Sequence, residues 1–284
     1  MTALLSALGC LLLLTGMREV FATLFHPHGR GIVSERLIRA VARAARRAAA
    51  VRPSFGLLAG PFAFLAVVTS WGLMMTVGFA LLFWAYMPEH FAGSAELIGR
   101  PDGFLDALYL SAVNITSLGY GDIVSTSDAL RLLGTFEVIV GLGLLTASIS
   151  FLVSIYGALS AYHSVSHEID LLLSSAPDGA AGATAPALGR IASQLVATRR
   201  DLLHFPITYY FRSPDPRYAL WQTMPRLLEL TAAARRSDDP QLRVEAARAD
   251  TAATDLLATL NTEFFRVDEG ATGDLLAAFA RDHP

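Results

Sequence analysis

The sequence predicts an all-α membrane protein with a polar helical appendage. Three observations predict it. Long runs with few or no charges cover residues 3–25, 61–87 and 138–162. Hydrophobic residues make up 53% of the chain and charged residues 17%, below the soluble norm of about a quarter, and mean hydropathy is +0.45. Beyond residue 162 the apolar residues recur at helical spacing instead of in runs. The non-histidine basic residues are all arginine, and a net charge of −3 gives no footprint for nucleic acid. The single Cys10 excludes an intrachain disulfide and a multi-cysteine zinc site.

The first element is an apolar helix within residues 1–28. No basic residue precedes Arg18, so a signal peptide is disfavoured. A short first membrane span is expected, against an interfacial helix as the alternative. His26-Pro27-His28-Gly29 reads as a turn. Residues 29–54 then form a basic segment. Arg36, Arg39, Arg43, Arg46 and Arg47 are three and four apart and share one helical face. An amphipathic helix on an anionic lipid surface follows, with about 1 kcal/mol from each arginine near the headgroups. It serves either topology alone, by holding this loop in the cytoplasm, or coupling of lipid or tail to a gate. It is no voltage sensor, since such arginines lie within a span.

The second span runs over Pro61–Met87, with Trp84 and Tyr86 at its interfacial end. Residues 88–128 are acidic, with Glu89, Glu96, Asp102, Asp106, Asp122 and Asp128 against Arg100 alone. The charge asymmetry puts the basic loop inside and this segment outside. Residues 103–116 are too short to span and fit a re-entrant helix. After it comes Thr116-Ser117-Leu118-Gly119-Tyr120-Gly121-Asp122. Glycine at alternate positions lets successive carbonyls turn to one side. A ring of such segments would offer oxygen cages to a dehydrated cation.

This stretch resembles the filter of pore-loop potassium channels of the two-span bacterial type, whose pattern is T-V-G-Y-G-D. Phe104–Ser111 resembles their pore helix. Leu133–Gly141 resembles the inner helix of bacterial inward-rectifier-like channels. The likeness covers roughly residues 55–160. It implies a pore domain over 55–162, a homotetramer around one axis, and passive K⁺ conduction in a bacterial inner membrane. K⁺ would be the permeating ion, held by Ser117, Leu118, Gly119 and Tyr120, with no cofactor. Gly121 and Asp122 would shape the outer mouth. Glu137, a lone carboxylate in the third span, would sit behind the filter and hold its backbone. Ser117 for Thr and Leu118 for Val depart from the pattern, so a weakly selective cation channel is the alternative. A non-conducting sensor or scaffold acting through the tail is a reading from another class.

Gly141 and Gly143 suit either a gating hinge or close packing on the pore helix. Ser150 and Ser154 share a face and are candidates to line a cavity; Phe151, Leu152 and Ile155 are candidates for an apolar gate. Residues 163–284 are expected to form a helical cytoplasmic domain. The inner helix extends to Ser175, a linker covers 176–187, and helices follow near 187–204, 217–236, 240–264 and 272–281. Phe205–Phe211 is an aromatic cluster, read as core packing before partner docking. No nucleophile–base pair, metal cluster or nucleotide fingerprint supports an enzyme.

Overall fold

The computed structural model describes residues 1–24, 31–49, 51–52, 54–93, 100–175, 183–213, 215–267 and 271–282. The expected His26–Gly29 turn, Glu96 and linker residues 176–182 lie outside them. The chain divides into two units. One holds Met1–Val41 with Phe62–Val153; the other holds Ala42–Pro61 with Ser154–Pro284.

In the first unit, α1 (Thr2–Leu24) and α4 (Ala59–Trp84) are built almost wholly from apolar residues. With α6 (Asp128–Ser175) they are long and apolar enough to cross a membrane. The two helices α1 and α4 run antiparallel. Gly9 lies beside Gly78 and Leu82, and Gly16 beside Met74 and Met75. A Cβ on Gly9 would stand 2.8 Å from the Gly78 carbonyl oxygen, so glycine is what permits this approach. The short helix α5 (Phe104–Ile115) buries Ala107, Leu110, Ser111 and Val113, a spacing of three and four that defines one face. Ala107 and Leu110 join Phe79, Leu82 and Phe83 of α4 and Ile123 in a small core.

Among the described residues, the fold departs from purely helical at one place. β1 (Phe91–Gly93) pairs antiparallel with β2 (Ile123–Ser125), Ala92 opposite Val124. Three residues are too few to show alternation in a sequence. The ladder fastens the chain that leaves α5 to the chain that leaves α4.

Helix α6 is continuous for 48 residues. Its stripe Glu137, Gly141, Ser148 and Phe151 is buried. Across the helix, Leu132, Phe136, Ile139, Leu142, Leu145, Ile149 and Val153 are exposed.

In the second unit, α7 (Ala185–His204), α8 (Leu220–Ala234), α9 (Pro240–Leu260) and α10 (Thr272–Asp282) pack with the last turns of α6. Val165 and Ile169 of α6 join Leu188, Ile191, Leu195, Met224, Leu227, Leu256 and Phe279 in one core. The predicted helices are thus present, each starting or ending within a few residues of its expected bound. Helix α9 begins where its sequence says it should: Asp239 accepts from the Gln241 N–H at 2.9 Å, with Pro240 in the first turn. Past Leu260, a π turn over Asn261–Phe265 brings Phe264 onto Tyr209, ring centroids 4.0 Å apart and nearly parallel. The aromatic cluster therefore packs into the bundle. This unit also contains the elbow that joins α2 (Ile32–Ala49) to α4, including the single turn α3 (Ser54–Leu57).

Candidate functional site

Helix α5 ends at Thr116, whose N–H still bonds to the Ala112 carbonyl. The next two N–H groups, of Ser117 and Leu118, turn back to Asn114 and Val113 carbonyls at 2.8 and 2.9 Å. From there the chain leaves helical geometry. Positive φ falls on alternate residues: Ser117 at 61°, Gly119 at 58° and Gly121 at 75°. A Cβ at Gly119 or Gly121 would meet nothing within 4 Å, so the backbone angle and not space calls for glycine. Ser117 takes the same angle without being glycine, at a cost of about 1–2 kcal/mol. That third member of the alternation was not foreseen, because serine gives no signal for it. Residues 116–121 are exposed in the single chain, with Leu118 58% and Tyr120 66% accessible.

Two carboxylates brace the segment. Asp122 accepts from the Tyr109 hydroxyl of α5 at 2.6 Å and from its neighbour's N–H at 3.1 Å. Glu137 of α6 is fully buried. Its Oε1 bonds to the Ser111 hydroxyl, and its Oε2 accepts from Asn114 Nδ2 at 3.1 Å. Ser111 Oγ also reaches the Thr76 carbonyl of α4 at 2.7 Å. The expectation for Glu137 needs a correction here: its partners are side chains of α5, not the filter backbone. Buried donors on α5 took the carboxylate first. Ser111, Asn114 and Tyr109 are the residues missed, although each is polar on a largely apolar short helix.

Gly141 lies against the end of α5, where a Cβ would collide with the Ile115 carbonyl. Gly143 has open space. Helix α6 runs unbroken through both. Close packing therefore accounts for Gly141. Ser150 and Ser154 lie on the exposed side of α6. Phe151 does not: its ring packs on Phe64 and Trp71 of α4, centroids 6.0 Å from each. Ile155 is also fully buried. Phe151 therefore faces the outer helix and not an axis.

Of the basic stripe, Arg39 pairs with Glu35 at 3.6 Å and Arg46 with Asp282 at 2.9 Å. Arg36, Arg43 and Arg47 are exposed. A further carboxylate escaped notice: Glu19, 1% exposed in α1. Its oxygens accept from the N–H groups of Ile32, Val33 and Ser34 at 2.8–3.2 Å, capping the first turn of α2. Ser34 Oγ in turn accepts from Trp71 Nε1 at 3.1 Å. The signal was available, since a lone carboxylate in an apolar run demands a partner.

What this arrangement can do is present backbone oxygens. Among the described residues no group of three or more His, Cys, Asp and Glu could hold a metal. Neither a search of curated proteins nor one of solved structures gave a match. Residues 66–157, from within α4 to within α6, match the family model described as Ion channel (Ion_trans_2); the match supports a pore-loop channel family, ion channel function and a place in the membrane.

Proposed function

We propose that the protein is a homotetrameric potassium channel of the two-span type, with an added N-terminal span and a cytoplasmic helical domain. The observation that carries this reading is the alternation of positive φ at Ser117, Gly119 and Gly121. Such a backbone can aim the carbonyls of Ser117, Leu118, Gly119 and Tyr120 at one axis, where they replace a hydration shell. One chain supplies one wall, so four are needed. The C-terminus of α5 directs about half a negative charge toward the inner side of the filter, and four such ends favour a cation there. Asp122, held by Tyr109, and Glu137, held by Ser111 and Asn114, keep the segment in register. The excess of arginine in residues 30–52 supports a cytoplasmic α2 loop and tail, in a bacterial inner membrane on this reading. Arg36 and Arg47 would meet anionic headgroups, whereas Arg46 is engaged with Asp282.

A weakly selective cation channel is the second reading. Ser117 favours it: without the methyl of threonine, its side chain is less stiff at the innermost site. Purified protein in liposomes with K⁺ on one side and Na⁺ on the other decides. A reversal potential near the K⁺ equilibrium value supports the first reading, and one near zero the second. Vesicles that pass neither ion refute both and favour a scaffold.

A further inference from the structure

The contacts around the last residue of α10 are not explained by ion conduction. Asp282 is gripped from three sides. Arg46 Nη1 of α2 donates to its Oδ1 at 2.9 Å, and the Tyr209 hydroxyl donates to its Oδ2 at 2.5 Å. Arg212 Nη2 donates to its backbone carbonyl at 2.6 Å. The partners lie 236, 73 and 70 residues away in the chain. They meet in a cleft also lined by Ala42, Ala45, Gly56 and Ala59. The small side chains come from α2 and from the elbow, and they give Arg212 room to lie against Gly56.

The neighbouring residue continues the pattern. The Phe211 ring lies on Gly60 in the first turn of α4, where any Cβ would collide with it. The same ring stands edge-on to Tyr156 of α6, centroids 6.3 Å apart. Meanwhile α10 is rooted in the bundle three residues earlier, through the fully buried Phe279 beside Phe265. Helix α10 thus bridges the bundle core and the elbow. The grip is desolvated on one side: burial pushes the Tyr209 hydroxyl up, and burial pulls the Arg212 guanidinium down while Asp282 opposes that shift. Loss of the Asp282 carboxylate would leave Arg46 and Tyr209 without their shared acceptor.

We propose that Asp282, Arg46, Tyr209 and Arg212 form a clasp that fastens the cytoplasmic domain to the elbow at the base of α4, and that this fastening positions the pore helices and sets how often the channel opens. The proposal rests on the channel reading. These are positioning residues, with no contact to the ion. A tail that binds a partner differently with the clasp closed or open would shift the channel between the two populations.

Charge exchange tests it on the full chain in lipid nanodiscs and liposomes. Arg46→Asp and Asp282→Arg, made singly, should raise hydrogen exchange in residues 54–61 and 272–282. Each should shift open probability in one common direction by roughly 3- to 10-fold. Unit conductance and reversal potential should stay at the wild-type values. The double exchange should restore both exchange and open probability. If Asp282→Arg does not fold, Asp282→Asn, which keeps one accepting oxygen, should give the same shift at smaller amplitude. Exchange that rises with no change in open probability would overturn the clasp as a gating element. Unaltered exchange in the single variants would overturn its existence. If the wild type passes no ion, the channel reading fails, and the link to opening with it; exchange alone then decides whether the clasp forms.

Discussion

Glu137 shows how a buried carboxylate is tolerated in an apolar helix. Both oxygens are matched by donors on α5, so its desolvation is offset by two hydrogen bonds and by the rigidity of the short helix it touches. Glu137→Ala would leave the Ser111 hydroxyl and the Asn114 amide buried without this partner. A loss of about 2–4 kcal/mol follows, with collapse of selective flux, read by thermal unfolding and by reversal potential. Glu137→Gln keeps one accepting oxygen and should lose less than half of that stability, while still altering selectivity or filter inactivation. Tyr209 makes a second case in the tail. Its hydroxyl is pushed above the ordinary phenol value of 10.0, by burial first and by the Asp282 charge second. The folded state therefore favours the neutral phenol. That contribution is complete below pH 10.0 and declines as pH rises beyond it toward the folded value. Tyr209→Phe should lower the melting temperature at neutral pH by the equivalent of about 1 kcal/mol. It should also flatten the alkaline fall seen in the wild type above pH 10.0.

At the scale of elements, the long helix α6 gathers the competing demands. One stripe serves α4 and α5, and the rest is left apolar and exposed in a single chain. Two of its glycines, Gly141 and Gly143, look alike in the sequence, nine and seven residues before Ser150. Only the position of α5 separates them, and that is a tertiary fact which no local pattern carries. Gly141→Ala sets a methyl against the Ile115 carbonyl and should cost about 1–3 kcal/mol while displacing the segment that follows Ile115. Gly143→Ala meets nothing within 4 Å in the chain and should gain up to about 1 kcal/mol of helix stability. Thermal unfolding of the two variants side by side checks the contrast; equal effects would mean that α6 is not seated on α5 at Gly141. The same limit explains Glu19. The residue is visible in the sequence as a carboxylate ending an apolar run, yet its partners begin 13 residues later, across a segment with no periodic pattern. By contrast the helix starts and stops of the tail were readable, because Asp239-Pro240 and the Leu256, Leu257, Leu260 spacing are local signals.

For the molecule as a whole, the sequence disclosed three helices long and apolar enough to cross a membrane and the short helix α5. It could not disclose the pairing of residue 46 with residue 282, since separations of that size leave no periodic trace. Nor could it mark where one unit ends: composition changes near residue 162, but the division falls at Val153 and Ser154, inside an unbroken helix. This shift has a consequence for assembly. The exposed stripe from Leu132 to Val153 and the exposed Leu118 and Tyr120 all belong to the first unit. Apolar surface of that extent on a membrane-crossing helix faces either lipid or a neighbouring copy. If neighbouring copies cover it, the instruction to form a tetramer resides wholly in residues before 154. On the proposed channel reading, a chain ending at Tyr162 should then still assemble as four copies and pass K⁺, although it lacks the bundle and the Asp282 clasp. Mass measurement in nanodiscs and liposome flux on that truncation give the answer. Monomers would place the assembly determinant in the tail instead. Four-fold particles with unchanged opening would deny the tail any hold on the pore.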